Sequence, residues 1–454
     1  MTLSETMAEY VIGRNWDNIP AAVKDKAKRN FLDLFGCMIA GSIEANSQKM
    51  NEYIERFGGR PESSVFSAGF RKADMRTAAL INTMSAHMCD FDDMSTTLNG
   101  HPSAVIAPAT FAVAEAMKST GQEALEAYVT GVEVASALGR GINGPAYDTG
   151  WNATTTIALY GAAAAASKLM KLDFQQTVNA FGIAAGESSG TKGNYGTDAK
   201  DITVGRAAEK GVFSAFIAKC GYQANPEIFE CTNGVCQVFN HTIRLDEIKS
   251  TLENGISDFT EPGLTIKPYP SCRSNHTAVD GIVEICKTNN LSMGDIERVE
   301  CLMQPTAFKL EKYHIPNNGT EAKFSSAYCM GRILEKGTLT IDDFTGDVHL
   351  SEELLDFIKK VHVQCDDSFV DAFYGTEIKV FCRDGRTYSY RGNYASGDPR
   401  KPLADAEIKK KFFSNIGRVF KKTNCERLYD CFMSVENAES MEDIYQLLTK
   451  EEDK

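Results

Sequence analysis

The sequence predicts a mostly α-helical protein in which a large all-helical domain is interrupted by a smaller α+β domain. Residues 3–221 are dominated by apolar positions at helical spacing. The next part of the chain alternates between short strand-like runs and helical patterns, and a helical pattern returns after Gly397-Asp398-Pro399. We therefore predict a helical domain of residues 1–262 and 398–454 and an α+β domain of residues 263–397.

The helical domain is predicted from a series of periodic segments. Residues 20–35 follow the 3.6-residue period, and this helix is predicted to end before Gly41. The run Gly161–Ser167 is almost entirely alanine, so it predicts a buried helix that a neighbouring helix approaches closely. The other helices predicted here are 101–117, 123–138 and 154–170.

The α+β domain is predicted from strand-like runs separated by turn residues. The strongest turn signal is Asp384-Gly385, which predicts a hairpin between residues 376–381 and 386–391. Two further strands are predicted at 299–303 and 361–365. The predicted helices of this domain and of the C-terminal return are 322–334, 351–358, 404–413 and 441–448.

Charge and hydropathy exclude several functional classes. The net charge is −13, and there is no stripe of Lys and Arg with interleaved aromatic residues, so nucleic acid is not an expected partner. No apolar run is long enough to span a bilayer. The N-terminal residues show no basic segment followed by an apolar one, so we expect a cytoplasmic protein without a membrane partner.

The thirteen cysteines indicate reduced thiols rather than a disulfide framework or a metal site. Their number is odd, and no CxxC motif is present. The spacing of Cys231 and Cys236 matches neither a zinc nor a common iron–sulfur pattern. We therefore predict no metal site, and most of these thiols are expected to fill the core.

The stretch that most strongly suggests chemistry runs from Asp90 to Ser103. Asp90, Asp92, Asp93 and His101 lie within twelve residues of one another. Pro102 follows His101 and begins an apolar segment, which predicts that His101 lies at a helix N-terminus. Carboxylates and an imidazole held together can transfer protons, although a solvated surface loop would show the same residues.

Two other stretches contain candidate binding groups. A Gly- and Ser-rich connection leads to Lys200, which could bind a carboxylate or transfer a proton, or be merely solvated. Lys267-Pro-Tyr-Pro-Ser-Cys-Arg-Ser-Asn-His276 lies at the predicted domain junction, and Pro270-Ser271 predicts a helix start. There Cys272, beside Arg273, is predicted to have a lowered pKa. In the alternative interpretation Ser271 caps the helix, Cys272 packs and His276 bonds a carbonyl.

Taken together, these motifs resemble the MmgE/PrpD family along nearly the whole chain. The motifs that carry the resemblance are 90–93, 100–103, 161–166, Lys200 with 205–208, 267–272 and 321–325. The family includes 2-methylcitrate dehydratases, cis-aconitate decarboxylases and an iminodisuccinate epimerase. Its reactions share one step, in which a proton is taken from or given to the carbon next to a carboxylate.

The resemblance implies a homodimer in which an α+β lid covers a helical domain. It implies a cleft that binds a small di- or tricarboxylate without metal or organic cofactor. It also implies that Asp90, His101, Lys200 and Lys267 line this cleft. With the residue patterns above, the predicted catalytic residues are His101, Asp90, Asp93, Lys200 and Cys272, and the predicted substrate-binding residues are Lys267, Asn152, Ser271 and His276.

Two departures from the family pattern bear on the reaction. By the resemblance, cis-aconitate decarboxylases have histidines where this chain has Asn152 and Cys272. An asparagine cannot shuttle a proton, although it can hydrogen-bond a carboxylate. We therefore expect a hydro-lyase resembling 2-methylcitrate dehydratase rather than a standard decarboxylase. An epimerase that uses Cys272 with His101 or Lys200 stays open, as does a binding protein that has lost catalysis.

Overall fold

The chain is described by a computed structural model that covers residues 1–66, 70–142, 145–240, 243–369 and 374–449. These residues form two compact units. Unit 1 contains the described parts of Met1–Met88, Asp92–Ile266 and Asp405–Lys454, and unit 2 contains Cys89–Phe91 and the described parts of Lys267–Ala404. The two units are compact groups of residues, and whether they fold as the predicted domains with limits at 263 and 397 stays a prediction.

Unit 1 is built almost entirely of helices, and the predicted mostly α-helical fold class is confirmed. Its helices before unit 2 are α1 (Leu3–Gly13), α2 (Ala21–Ser42), α3 (Ala45–Phe57), α4 (Met75–Met88), α5 (Pro102–Ala116), α6 (Gly121–Ile142), α7 (Pro145–Asp148), α8 (Ala153–Thr156), α9 (Ala158–Leu169), α10 (Phe174–Glu187), α11 (Asp198–Lys219), α12 (Val235–Asn240) and α13 (Leu245–Glu253). The chain returns to unit 1 in α19 (Asp405–Ile416), α20 (Lys422–Met433) and α21 (Met441–Thr449).

The centre of unit 1 is formed by α5, α6 and α9, whose small residues allow close packing. A methyl group added at Gly131 of α6 would lie 2.6 Å from the carbonyl oxygen of Gly161 in α9. A methyl group at Gly211 of α11 would lie 2.6 Å from the Ala162 side chain on another face of α9. The prediction that a neighbouring helix approaches 161–167 closely is therefore confirmed, because α9 has close neighbours on two sides.

Three local predictions in unit 1 are wrong. Helix α2 continues through Gly41, because this glycine lets α2 contact α4, where an added methyl group would clash with the Ser85 carbonyl. The predicted helix 154–170 is two helices that meet at Ile157. Two short antiparallel strands, β1 (Ser63–Val65) and β2 (Arg71–Ala73), lie in a part of the chain where nearly everything was expected to be helical.

Unit 2 has a four-stranded sheet with helices. Its strands are β3 (Ile296–Met303), β4 (Val361–Cys365), β5 (Thr376–Cys382) and β6 (Thr387–Gly392), in the order β4-β3-β5-β6. Strand β3 is parallel to β4 and antiparallel to β5, and β5 and β6 form the predicted hairpin around Asp384-Gly385. Alternate residues of β5 are buried, as expected for a sheet with one covered face.

The helices of unit 2 are α14 (His276–Asn289), α15 (Pro305–Phe308), α16 (Gly319–Ala322), α17 (Ser326–Lys336) and α18 (Glu352–Lys360). Helix α14 packs on the hairpin, since Gly281 has no side chain to displace Tyr390 and Ile378. The predicted helix start at Pro270-Ser271 is wrong. A 3₁₀ turn, Arg273–Asn275, precedes α14, because the Cys272 N–H donates to the Lys323 carbonyl instead of starting a helix.

Among the described residues, no helix combines the length and the apolar character that a membrane span requires.

Candidate active site

His101 lies where the sequence predicted it, at the N-terminus of a helix. It is the N-cap residue of α5, with Pro102 as the first helical residue. Its side chain is 17% exposed, whereas Ser103, the second residue of α5, is fully buried. The backbone N–H of His101 donates to Thr154 Oγ1 at the start of α8, which fixes the position of the loop before α5.

The carboxylate that contacts His101 is Asp92, which the sequence interpretation did not select. Asp92 Oδ2 lies 2.9 Å from His101 Nδ1 and 3.0 Å from His87 Nδ1. Asp92 is fully buried, and His87, from the last turn of α4, is 1% exposed. Asp90 and Asp93, the carboxylates that were predicted to be catalytic, contact Lys267 and Ser103, respectively. The spacing of 87 and 92 across a helix end gave no periodic signal for this pairing.

The charges in this cluster follow from burial and proximity. Burial alone would raise the pKa of Asp92, but the two imidazoles outweigh it and hold this pKa well below its ordinary value. Burial and then the positive charge of Lys200 lower the pKa of His87 to about 4, although Asp92 opposes the change. An ionised Asp92 accepts from His87 Nδ1, and its negative charge 2.9 Å from His101 Nδ1 favours the His101 tautomer with a proton on Nδ1 and a free Nε2.

The same three side chains have the composition of a metal site. One ligand atom from each of His87, Asp92 and His101 lies within 4.8 Å of the others, and such a grouping can hold a divalent transition metal. However, both Nδ1 atoms lie at hydrogen-bond distance from one carboxylate oxygen. His87 Nδ1 makes a hydrogen bond to this oxygen, whereas the His101 Nδ1 contact is a close charge contact without hydrogen-bond geometry, so we describe the cluster as a His–Asp–His arrangement.

Lys200 and Asn152 lie in unit 1, as does His101. Lys200 is the third residue of α11, close enough for its charge to affect the pKa of His87, and its Nζ lies 5.6 Å from the centre of the Tyr195 ring. The Tyr195 hydroxyl lies 3.2 Å from Asn152 Oδ1. Asn152 is 2% exposed and its side chain caps α8, the helix whose Thr154 holds His101.

Asp93 is buried and accepts hydrogen bonds from side chains near the start of α5. Its Oδ2 accepts hydrogen bonds from Asn30, at 2.7 Å, and from Ser103, at 2.5 Å. Ser103 Oγ also lies 2.6 Å from the Tyr128 hydroxyl. Burial raises the pKa of Asp93 to about 7, although the two hydrogen bonds oppose the rise. Asp93 therefore holds the turn that presents His101.

Asp90 and Lys267 form a buried ion pair in unit 2. Lys267 Nζ donates to Asp90 Oδ1 at 2.8 Å, to the Asp90 carbonyl at 2.9 Å and to the Ser271 carbonyl at 3.3 Å. Lys267 is 1% exposed, and Asp90 adopts a left-handed backbone with φ of 52°. Because an ammonium group has three N–H donors, a substrate carboxylate could bind Lys267 only by displacing one of these acceptors.

Ser271 and Cys272 lie just before α14, and His276 is its first residue. His276 is fully buried, and its Nε2 lies 3.2 Å from the Ser271 carbonyl, as the structural alternative expected. Burial, Arg273 and Lys267 hold the pKa of His276 well below its ordinary value. The predicted lowering of the Cys272 pKa is wrong, since burial and then the negative charge of Asp90 raise it.

A histidine–carboxylate cluster at a helix N-terminus has the groups that side-chain acid/base catalysis uses. The chain matches the sequence profile of the MmgE/PrpD N-terminal domain over residues 5–247 and that of the MmgE/PrpD C-terminal domain over residues 269–436. The chain therefore belongs to the MmgE/PrpD family, as the sequence motifs predicted.

Curated relatives align with nearly the whole chain. Cis-aconitate decarboxylase from Mus musculus is 24% identical, covering 97% of this chain and 92% of that protein. Cis-aconitate decarboxylase from Homo sapiens is 23% identical, covering 99% and 94%. Cis-aconitate decarboxylase from Aspergillus terreus is 22% identical, covering 95% and 93%. The family and these relatives support a lyase-type function.

Proposed function

We propose that this protein is a lyase that acts on a small di- or tricarboxylic acid by transferring a proton at the carbon next to a carboxylate. Dehydration, as in a 2-methylcitrate dehydratase, is the reaction we favour. The observation that carries the proposal is the contact of His101 Nδ1 with Asp92 Oδ2 at 2.9 Å. A buried carboxylate on one ring nitrogen leaves the other nitrogen to act as the acid or base.

The proposed mechanism assigns separate tasks to His101 and the lysines. The carbon next to a carboxylate is a weak acid, so its deprotonation requires a base and positive charge near the developing enolate. His101 Nε2 takes the proton from carbon while Asp92 stabilises the imidazolium, and in dehydration the departing hydroxyl takes a proton from an acid, for which Lys200 is the candidate, and leaves as water. Lys200 supplies positive charge in unit 1, and its effect on the pKa of His87 supports this role. Lys267 is a proposed ligand of a substrate carboxylate, which would have to displace one of the three oxygens that Lys267 Nζ now contacts.

Asn152 is the residue that favours dehydration over decarboxylation. Its side chain is occupied as a helix cap and as a partner of the Tyr195 hydroxyl, and an amide does not transfer protons at neutral pH. Decarboxylation is the second candidate, because the curated relatives bear that name. Epimerisation, which needs a group on each face of the carbon, requires Cys272 to act as a thiol acid or base.

The experiment that tests the proposal is incubation with a panel of di- and tricarboxylic acids in deuterated water, followed by NMR. Exchange at the carbon next to a carboxylate reports proton transfer, and the product distinguishes loss of water, loss of carbon dioxide and inversion. We expect exchange and an unsaturated product for at least one acid. Binding without exchange for every acid that binds would instead favour a binding protein that has lost catalysis.

We also propose that the protein is a cytoplasmic homodimer, as the family resemblance implies. Light scattering coupled to size-exclusion chromatography measures the molar mass, and twice the 49.8 kDa of the chain is expected. A mass of one chain at micromolar concentration would contradict the dimer.

A further inference from the structure

A chain of side-chain contacts in unit 2 connects Cys272 to Glu311. Ser274 Oγ lies 3.1 Å from Cys272 Sγ and 3.2 Å from Asn275 Oδ1. Ser326 Oγ lies 3.1 Å from the same Asn275 oxygen and 2.6 Å from Glu311 Oε2. The side chains of Ser274, Asn275 and Ser326 are fully buried, so bulk water does not compete for their hydrogen bonds.

The number of hydroxyl protons limits which of these bonds exist together. Each serine has one O–H, so Ser326 donates either to Glu311 or to Asn275, and Ser274 donates either to Asn275 or to Cys272. An ionised Glu311 accepts the hydrogen bond that the Ser326 hydroxyl donates. The Ser274 hydroxyl then donates to the buried Asn275 oxygen, because leaving a buried acceptor without a hydrogen bond costs free energy. A protonated Glu311 can donate to Ser326, which releases Ser274 to donate to the Cys272 sulfur.

We propose that Glu311 is a positioning residue for Cys272, because its protonation state selects, through Ser326, Asn275 and Ser274, whether the sulfur receives a hydrogen bond. The coupling itself is a property of unit 2. Only its catalytic meaning rests on the proposed function, in which Cys272 is a candidate acid or base.

Among the titratable groups next to Glu311 and Cys272, Glu311 is the one whose protonation state changes near neutral pH. Burial raises the pKa of Glu311 to about 7, although its bonds to Ser326 oppose the rise. Glu311 interacts with Cys301 and Cys329, and burial raises the pKa of both thiols, which stay neutral. Charged groups that act on Cys272 are Asp90 and Lys267, which form an ion pair.

The Cys272 thiol should be a stronger acid when Glu311 is protonated than when it is ionised. Below pH 7, Glu311 is protonated and the Ser274 hydroxyl is free to stabilise a Cys272 thiolate. Above pH 7, Glu311 is ionised and that stabilisation is lost, so the thiol becomes a weaker acid. The logarithm of the Cys272 alkylation rate should therefore rise with less than unit slope around pH 7 and with unit slope on either side.

The test is alkylation by iodoacetamide from pH 6 to 10, with each cysteine quantified by mass spectrometry in wild-type protein, Glu311→Gln and Ser326→Ala. A glutamine amide resembles the protonated acid, so Glu311→Gln should alkylate about 3- to 10-fold faster at Cys272 above pH 8 and show one smooth titration. In Ser326→Ala the relay is cut, so adding Glu311→Gln to it should change nothing. The exposed Cys220 and Cys365 are references in the same molecules.

The outcomes distinguish coupling of Glu311 to Cys272 from a general loosening of the structure by the substitution and from an effect on the lyase reaction. Equal Cys272 profiles in wild type and Glu311→Gln, or a Glu311→Gln effect that persists without Ser326, would overturn the proposal. If Glu311→Gln does not fold, a single unit slope through pH 7 in the wild type would overturn it as well. Alkylation needs no turnover, so a failed coupling leaves the proposed lyase reaction intact, and an inactive protein still tests the coupling.

Discussion

A single oxygen atom of Asp92 organises the candidate active site. It lies within 3.0 Å of two imidazole nitrogens, one from a fully buried ring and one from a ring with partial exposure. His87 is the neutral partner, because burial lowers its pKa to about 4. The partly exposed partner, His101, is therefore the ring that can exchange protons with a substrate.

We expect His101→Asn to lower turnover by about two to four orders of magnitude, the range for loss of a positioned acid or base. Steady-state kinetics on the substrate found by the NMR panel measures this. His362→Asn, on an exposed position of β4, is the matched control and should retain activity. Near-full activity of His101→Asn would remove the acid/base assignment.

Asp92→Asn should also lower turnover by at least about two orders of magnitude, because an amide can present its N–H to Nδ1 and favour the wrong tautomer. Asp93→Asn is the comparison, since Asp93 contacts Asn30 and Ser103 instead. The turnover numbers of the two variants, measured side by side, should differ by at least about tenfold. Equal losses would mean that Asp92 matters only for folding.

Lys267→Met should destabilise the protein by about 3–5 kcal/mol, because it removes the cation from a buried pair and leaves Asp90 charged. Urea unfolding measures the loss. The double variant Lys267→Met/Asp90→Asn should recover part of it. If Lys267→Met is as stable as the wild type but binds polycarboxylates weakly, Lys267 is a substrate ligand rather than a structural cation.

At the level of helices and strands, close contact between backbones explains several glycines of unit 1. Gly131 and Gly161 face each other where α6 crosses α9, and Gly41 brings α2 against α4. Such contacts position the N-terminal end of α5, since α9 also packs against α5. The precision of the His101 site therefore depends on helices that carry no catalytic group.

Gly131→Ala should destabilise unit 1 by about 1–3 kcal/mol, because the new methyl group would overlap the Gly161 carbonyl and the Ile106 side chain. Gly186→Ala is the matched control, since Gly186 lies in helix α10 and a methyl group there has no neighbour within 4 Å. Thermal unfolding should show a lower Tm for the first variant and an unchanged or higher Tm for the second.

The success of the sequence predictions followed the strength of local signals. The hairpin at Asp384-Gly385 and the start of α5 at Pro102 were predicted because turn and cap residues act over a few positions. Strands β1 and β2 were missed, since three residues are too few to show alternation.

The choice among neighbouring carboxylates could not be predicted. Asp90, Asp92 and Asp93 lie in irregular backbone, where no period fixes the direction of a side chain, and Asp90 has positive φ. Asp92 contacts histidines, Asp93 contacts Ser103, and Asp90 contacts Lys267. The family resemblance predicted that this stretch matters, and tertiary contacts decided what each residue does.

Across the whole molecule, buried ionisable groups connect the active-site region to global stability. Burial raises the folded-state pKa of Asp93 to about 7, above the value of about 4 expected in the unfolded chain. Between these values the unfolded state releases its proton while the folded state keeps it. Asp93 therefore makes the protein less stable as pH rises from about 4 to 7.

Asp93→Asn should remove this contribution. Relative to the wild type, the variant should gain free energy of unfolding as pH rises, with a difference in slope of up to about 1.4 kcal/mol per pH unit between pH 5 and 7. Urea unfolding at several pH values measures both slopes, and other buried acids cancel in the comparison. Parallel curves would show that Asp93 is ionised in the folded protein at pH 5.

Unit 2 is assembled from two pieces of chain that are far apart in sequence. The short piece, Cys89–Phe91, carries Asp90, and the long piece begins with Lys267. A gene fragment that starts at residue 267 would encode the whole four-stranded sheet but leave this buried lysine without its counter-ion. Any excision, domain exchange or circular permutation that treats 267–404 as a self-contained cassette would therefore need to supply those three residues in trans or replace Lys267 with an apolar side chain.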